Sequence, residues 1–296
     1  MTSSSDALPV PATPYRATGS LRDRTILMSG GSRGIGLAIA RRAARDGANV
    51  VLLAKTGEPH AKLEGTVHSA AGEVEAAGGR ALPLVGDVRN DGDVARAVDA
   101  AVARFGGIDV VINNASAIDL SPTDAVDMKR YDLMQDINVR GTFLLSKLAL
   151  PALRKSSGGH ILTLSPPLNL DPKWAGRHLA YTMAKYGMSL TTLGLAEELR
   201  SDGICVNSLW PRTLIDTAAI RNMAGGESLV RAARRPEIMA DAAHAVLTGA
   251  AGGAGGASNT GNFYTDEQVL AAAGVTDFGP YSLGAAEPDL VPDIFL

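Results

Sequence analysis

The chain has 296 residues, 46% hydrophobic, 20% charged and 4% aromatic, a composition that buries a core and excludes disorder throughout. Its net charge is −3, with 28 basic and 31 acidic residues and no long basic run, so no nucleic-acid partner is expected. The one cysteine, Cys205, excludes an intramolecular disulfide and suits a reducing, cytoplasmic setting; no apolar run reaches the ~20 residues of a membrane span.

Residues 1–20 are rich in Ser, Thr, Ala and Pro without periodicity, and read as a disordered or surface-draped arm. From Arg24 onward two signals alternate. Short apolar, β-branched runs occur at Thr25–Met28, Asn49–Ala54, Ala81–Val85, Ile108–Ile112, His160–Leu164 and Ile204–Leu209. Between them, helical spacing marks Gly36–Arg45, Gly65–Ala77, Asp91–Phe105, Lys129–Leu153 and Leu179–Arg200. Strand–helix alternation with nearly continuous apolar strands predicts an α/β fold, a doubly wound parallel sheet of Rossmann type with helices on both faces. Ligands of such a sheet bind beyond the carboxyl ends of its strands.

After Trp210 the alternation stops. A mixed stretch, Pro211–Arg235, leads to a helical run from Pro236 to about Leu247 and a glycine-rich connector from Gly249 to Ala257. Gly261–Thr265 is one further candidate strand and Asp266–Ala273 a last short helix. The expected organisation is a single domain over residues 21–275, with a substrate region at 210–250, and a tail over 276–296. The closing Asp-Ile-Phe-Leu of that tail is a candidate to pack on a neighbouring subunit.

Ser29-Gly-Gly-Ser-Arg-Gly-Ile-Gly36 follows the first strand and opens the first helix. Glycines there let the backbone turn sharply and approach a pyrophosphate, which the helix N-terminus stabilises. The cofactor-binding candidates in this turn are Gly30, Ser32, Arg33, Gly34, Ile35 and Gly36, spaced G-x-x-x-G-x-G. An acidic residue closing the second strand would bind the ribose diol of NAD, but Ala54-Lys55-Thr56 stands there. Lys55 and Arg33 instead place positive charge where a 2′-phosphate would sit, which favours NADP(H).

With these features the chain resembles the short-chain dehydrogenase/reductase family from about Arg22 to Thr265. The glycine turn, Gly86-Asp-Val88, Asn113-Asn-Ala-Ser116, Ile-Asn138-Val-Arg-Gly-Thr and Tyr181-Thr-Met-Ala-Lys185 carry the resemblance. It is closest to the hydroxysteroid dehydrogenase-like branch through the Ala54–His60 run, Leu164-Ser-Pro-Pro-Leu-Asn169, Ala180–Ser189 and Leu209-Trp-Pro-Arg-Thr213. Some members of that branch carry a sterol-carrier-like domain, for which this chain is too short.

Tyr181 and Lys185 stand four apart and share one face of a helix. A tyrosine near pKa ~10 is a poor acid/base at neutral pH, and a neighbouring ammonium is expected to lower it. The resemblance implies that Tyr181 exchanges the proton and that Lys185 also holds the nicotinamide ribose. It further implies that Asn138 supports a proton path, Asp87 and Val88 contact the adenine, Asn114 and Ala115 the adenosine half, and Pro211 the cofactor. Ser116 replaces the glycine usual in the family. The family's serine after the fifth strand is harder to locate. Ser165 lies 16 residues before Tyr181 and is followed by Pro166 and Pro167, so the usual position is either Ser165 across a longer loop or Pro166 itself, with Asn169 as a substitute donor.

The remaining candidates read as structural. His178 is expected at the surface, Tyr186 in packing, Cys205 as an inert buried thiol, and Trp174 and Trp210 beside the cleft. The histidines show no metal-ligand spacing and no metal is expected. The function expected is an NADP(H)-dependent oxidoreductase acting on an apolar carbonyl or alcohol, lipid-, steroid- or terpenoid-like, and assembled as a homodimer or homotetramer. The alternative is a nucleotide-binding regulatory or scaffold protein whose catalysis is impaired by the Ser165-Pro-Pro departure. An enoyl reductase is a nearer rival, though the wider Tyr-to-Lys spacing it uses is missing.

Overall fold

Seven short strands build one parallel sheet: β1 (Thr25–Ser29), β2 (Asn49–Ala54), β3 (Arg80–Val85), β4 (Val110–Asn113), β5 (His160–Thr163), β6 (Cys205–Trp210) and β7 (Phe263–Thr265). Their order is β3-β2-β1-β4-β5-β6-β7, every pairing parallel. The computed structural model describes residues 12–59, 64–222, 225–250 and 259–296. His60, the start of the N-terminal arm and most of the glycine-rich connector lie outside the described residues.

β1, β2, β4 and β5 are buried along their whole length, which is why their sequences run apolar without alternation. β3 is a partly exposed edge strand, and it tolerates a proline, Pro83, in its ladder. Helices cover both faces. α1 (Gly34–Ala44), α2 (Val67–Ala76), α10 (Glu237–Leu247) and α11 (Asp266–Ala272) pack on one, through Ile39, Val67, Ile238 and Leu270. α3 (Asp91–Phe105), α5 (Gly141–Leu153) and α7 (Leu179–Glu198) pack on the other, through Val94, Leu145 and Leu195. Side-chain caps start several helices: Thr66 and Ser69 form a capping box on α2, Thr265 and Gln268 one on α11, and Asn90 accepts from Asp93 on α3.

The helix expected over Lys129–Leu153 is interrupted. α4 (Met128–Met134) runs into a π-helical segment, Gln135–Arg140, before α5 resumes the α pitch. A π turn adds a residue to one turn without changing the apolar pattern noticeably, so periodicity cannot reveal it. Three short helices also lie in stretches that have no predicted counterpart: α6 (Pro172–Arg177), α8 (Ala218–Arg221) and α9 (Gly226–Arg231).

The described part of the N-terminal arm is draped over α1 and α10. Tyr15 is buried there, its hydroxyl 3.0 Å from His244 Nδ1, and the Arg42 guanidinium lies 5.7 Å from its ring centroid. The C-terminal segment is equally fixed. Fully buried Arg234 pairs with Glu267 on α11 (2.9 Å) and with Glu287 (2.6 Å), and Tyr281 donates to Asp241 on α10 (2.8 Å). The chain then doubles back towards the carboxyl ends of β5 and β6. Among the described residues, no helix is long and apolar enough to cross a membrane.

Candidate active site

The strand order reverses direction between β1 and β4, and the loops leaving these strands diverge to leave a crevice. The glycine turn after β1 forms its floor. Gly30 has φ +72°, open to glycine, and a Cβ there would sit 2.8 Å from Ala115 Cα in the β4 loop. A Cβ on Gly36 would meet Asn114 Nδ2 at 2.5 Å. That amide nitrogen donates to the carbonyls of Ser29 (3.1 Å) and Gly30 (2.9 Å), so the two loops are clamped together only because the glycines carry no side chains.

The resulting cavity of about 480 Å³ runs from the N-terminus of α1 to the end of β2. Of the predicted cofactor residues, Gly30, Ser32, Arg33, Gly34, Ile35, Lys55, Asp87, Val88, Asn114 and Ala115 line it. Gly36 lies beneath the turn as a spacer, while Lys185 and Pro211 line a second cavity next door. Thr217, Ala218 and Ala219, at the start of α8, also line the first cavity and had no sequence signal.

Charge collects at the β2 end. Lys55 Nζ lies 3.3 Å from Asp87, and Arg89 pairs with the same carboxylate at 2.6 Å. Burial alone would raise the Asp87 pKa, but the hydrogen bonds from Arg89 and the Lys55 charge outweigh it and hold the group down to about 2. Arg33 donates to the carbonyls of Glu64 (2.9 Å) and Gly65 (2.8 Å), which orients its guanidinium over the cavity rim. The residues present therefore fit a dinucleotide. A helix N-terminus faces the cavity, Arg33 and Lys55 line it, and its one lining carboxylate among the described residues, Asp87, is already engaged by Lys55 and Arg89.

The second cavity, about 250 Å³, shares Ile35, Asn114, Ser116, Thr217 and Ala219 with the first, so the two form one continuous cleft. Tyr181 and Lys185 line it from adjacent turns of α7. The Lys185 ammonium donates to Leu164 O at 2.9 Å and lies 5.1 Å from the Trp210 ring centroid. Burial pushes Lys185 down to about 7, opposed by Asp293. Tyr181 is moved upward, by burial first and by the Asp293 charge second, while a hydrogen bond from Ser116 pulls the other way. The expected lowering by a neighbouring ammonium is not what this arrangement produces. Lys185 faces Leu164 and is itself partly discharged by desolvation.

Asn138 sits fully buried in the π segment. Its Oδ1 accepts from Ala117 N (2.8 Å) and its Nδ2 donates to Ala117 O (3.0 Å), which pins the loop after β4. Its amide is thus spent on Ala117, leaving the backbone for any proton path. Ser165 is turned into the sheet, where its hydroxyl lies 2.8 Å from Ser208 Oγ, which donates in turn to Thr192. It is fully buried and lines neither cavity, and Asn169 is likewise absent from both linings. His178 is half-buried and bonds Leu120 O through Nδ1 at 2.8 Å, and Cys205 is half-buried at the start of β6.

The C-terminal tail closes one wall of the second cavity, a part it was not expected to play. Residues 291–293 run antiparallel to 212–214, with Leu214 N bonding Val291 O and Asp293 N bonding Arg212 O. Trp210 Nε1 donates to Ile294 O at 3.0 Å. Phe295, at φ +76°, is buried between the rings of Trp174, Tyr181, Tyr186 and Trp210. The tail therefore packs on its own chain. Tyr186 packs as expected, its hydroxyl donating to Asn169 O. Among the described residues, no group of three or more His, Cys, Asp or Glu is placed to hold a metal ion.

Comparison with known proteins agrees with this geometry. Residues 24–226 match the family described as short chain dehydrogenase. The chain is 52% identical over 279 residues to hydroxysteroid dehydrogenase-like protein 2 of Xenopus laevis, covering 94% of this chain and 65% of that protein. The same protein of Danio rerio is 53% identical over 94% of this chain and 65% of its own length, so the chain spans just under two thirds of these relatives. A solved short chain dehydrogenase structure from Mycobacterium thermoresistibile is 51% identical, with a TM-score of 0.86 over 94% of this chain and 96% of that one. The chain belongs to the short-chain dehydrogenase/reductase family, oxidoreductases that use a nicotinamide cofactor.

Proposed function

We propose that the chain is an NADP(H)-dependent oxidoreductase that moves a hydride between the nicotinamide and a carbonyl or alcohol carbon of an apolar substrate. The observation that carries this reading is the continuous cleft, which joins the glycine turn to the Tyr181–Lys185 face through five shared lining residues. Bound cofactor would supply or accept the hydride. The chain's own residues do the rest. The turn and the α1 N-terminus hold the pyrophosphate, and Asp87, Val88, Asn114 and Ala115 hold the adenosine half. Lys55 and Arg33 receive a 2′-phosphate, since no carboxylate closes β2 to bind a free diol. Lys185 holds the nicotinamide ribose, Pro211 borders it, and Tyr181 passes its phenolic proton to the substrate oxygen. Replenishment of that proton runs past Lys185 and the backbone of Asn138.

Aliphatic and indole side chains wall the substrate end, among them Ile118, Leu120, Leu164, Trp210, Leu214 and Ile220, which favours an apolar substrate. On the outer surface, α7 exposes Leu179, Met183, Leu190 and Leu193, and α5 exposes Phe143. Such a patch supports the homodimer or homotetramer reading.

The test is NADPH oxidation against aldehydes and ketones of increasing chain length, with NADH in parallel. Carbonyl-dependent oxidation that strengthens with chain length and prefers NADPH is expected. NADPH binding with no turnover of any carbonyl would contradict the enzyme reading and favour a regulatory nucleotide-binding protein.

A further inference from the structure

We propose that Asp293, delivered by the C-terminal tail, is the hydrogen-bond donor to the substrate oxygen in this site. The inference rests on the carbonyl-reducing reading above.

A carbonyl that accepts a hydride needs donors aimed at its oxygen, where negative charge develops. Tyr181 is one. The exit of β5 offers no second. Ser165 is committed to Ser208 inside the sheet, Pro166 has neither an N–H nor a hydroxyl, and the Pro166 carbonyl already accepts from Ser189 Oγ at 2.6 Å. Two other polar side chains of the cavity wall, Asn114 and Lys185, already donate to backbone carbonyls. Asn114 Nδ2 is spent on Ser29 O and Gly30 O, while Lys185 Nζ gives one hydrogen to Leu164 O and, in the reading above, serves the nicotinamide ribose. Ser116 Oγ donates to Ala117 O at 3.4 Å, and Thr217 sets its methyl against Gly34 at the cofactor end.

Asp293 is left. Asp293 lines the cavity with Tyr181 and Lys185, and one of its carboxyl oxygens accepts from Ile294 N at 2.7 Å. Among the described residues nothing else hydrogen-bonds that carboxyl. Its surroundings on the cavity wall are mostly apolar, where a neutral carboxylic acid is favoured over an anion. A neutral acid carries an O–H, and with no acceptor for it among the described residues a substrate oxygen can take that bond. Burial, with the neighbouring Asp266, pushes Asp293 up to about 7 against the Ile294 N–H bond and the charge of Lys185, so the donor form is present at neutral pH. Keeping a carboxylic acid protonated by an apolar site so that it can donate is a known catalytic device.

The tail is built to hold that group still. The Asp293 N–H bonds Arg212 O at 3.1 Å, the next residue is held by Trp210, and Phe295 is locked beyond it in the left-handed region. A phenylalanine held at positive φ is strained and persists only where its surroundings over-determine it. Here the ring that fixes the tail also stacks on Tyr181, with centroids 6.2 Å apart, so one contact fixes both the proposed acid and the backbone carrying the proposed donor.

During reduction the hydride adds to the carbonyl carbon, the C=O π pair moves to oxygen, and that oxygen takes its proton from Tyr181. Asp293 shares its hydrogen in a bond, keeps it, and begins and ends neutral. The titratable groups that act on it are Lys185 and Tyr181 from α7 and Asp266 from the start of α11. Ionisation of Asp293 would set an anion against the developing alkoxide, so reduction should weaken as the pH rises through its titration.

Three full-length proteins decide it: wild type, Asp293→Asn and Asp293→Leu, assayed with NADPH and either cyclohexanone or decanal from about pH 5 to about pH 9. Asp293→Asn retains an N–H donor. Its kcat is expected to fall by less than about tenfold, and the loss of rate that the wild type suffers above about pH 7 should be absent. Asp293→Leu is expected to lose about a hundredfold in kcat while its NADPH affinity, read by cofactor fluorescence, stays within about twofold. The wild-type-minus-Asn infrared difference spectrum should show a protonated carboxyl band that fades as the pH rises.

Wild-type turnover that Asp293→Leu shares, or no protonated band at any pH, overturns the donor role alone. So does an Asn variant as impaired as the Leu variant, since the residue would then act as an anion or acceptor. A wild type that binds NADPH and reduces neither probe overturns the carbonyl reading and the donor role with it.

Discussion

Tyr181 and Phe295, 114 positions apart in sequence, stack with ring centroids 6.2 Å apart and planes 28° apart. The Phe295 ring also lies 5.3 Å from Tyr186 and 6.0 Å from both Trp174 and Trp210. The last residues of the chain are therefore a wall of the cleft that holds Tyr181. Phe295→Ala removes the ring at the centre of four others, and large-to-small changes of this kind cost about 3–5 kcal/mol. Urea denaturation is expected to show a loss of that order, with a raised KM for apolar carbonyls. A loss below about 1 kcal/mol would mean that the aromatic cluster closes without the tail.

Lys55 stands at the end of β2 with its side chain about half exposed, engaged only by Asp87 among the described residues. Replacing it by glutamate removes a charge-assisted contact to a 2′-phosphate and adds a repulsive charge, together worth about 1.5–3 kcal/mol or more. Lys55→Glu should weaken NADPH binding by at least about tenfold and leave NADH binding nearly unchanged. Titration by cofactor fluorescence checks both. Equal weakening of the two cofactors would remove Lys55 from phosphate recognition.

Gly36 is expected to be the least replaceable residue of the glycine turn. A Cβ there meets Asn114 Nδ2 at 2.5 Å and Gly30 O at 2.9 Å, so even alanine must push apart the clamp between the β1 and β4 loops. Gly36→Ala should abolish measurable NADPH binding and lower stability by roughly 1–3 kcal/mol, the range for overpacking a tight site. Calorimetric binding with thermal unfolding measures both effects. Normal cofactor affinity would show that the clamp is not needed.

Asp266 is fully buried. Its Oδ1 accepts from the N–H groups of Arg212 and Glu267, and its Oδ2 has no partner among the described residues. Burial raises its pKa from the ordinary 3.8 to about 7, against the pull of those two N–H donors. A carboxyl raised on folding contributes fully below its unfolded pKa, and that contribution is lost as the pH rises through the folded value. The stability of the wild type relative to Asp266→Asn should therefore fall between about pH 4 and about pH 7 and stay level above. A difference that grows more favourable to the wild type over that window would mean that the carboxylate, not the acid, is the form the fold prefers.

The sheet was legible because each strand is a buried run flanked by helical spacing. The predicted strand 160–164 ends one residue later than β5, and 49–54 coincides with β2. The glycine turn and the Tyr181–Lys185 pair were legible because their chemistry is local: a turn without Cβ atoms and two side chains one helical turn apart. The tail was not. Its order comes from contacts such as Pro292 with Thr213, Tyr281 with Asp241 and Phe295 with Tyr181, none of which leaves a periodic trace in residues 276–296. The orientation of Ser165 was equally hidden, because the hydroxyl that draws it inward belongs to Ser208, 43 positions away. The expected lowering of Tyr181 gives way to burial for a third reason: four-residue spacing places two groups on one face but says nothing of how strongly both are desolvated.

The most direct test of the account is Tyr181→Phe, which removes one hydroxyl and leaves the ring stacked on Phe295. NADPH affinity should stay within about twofold of the wild type while single-turnover reduction of a carbonyl falls by about 10²–10⁴-fold, the range for losing a general acid. A variant that still reduces the carbonyl within about threefold of the wild-type rate would show that the proton comes from elsewhere, and would contradict the placing of chemistry at Tyr181.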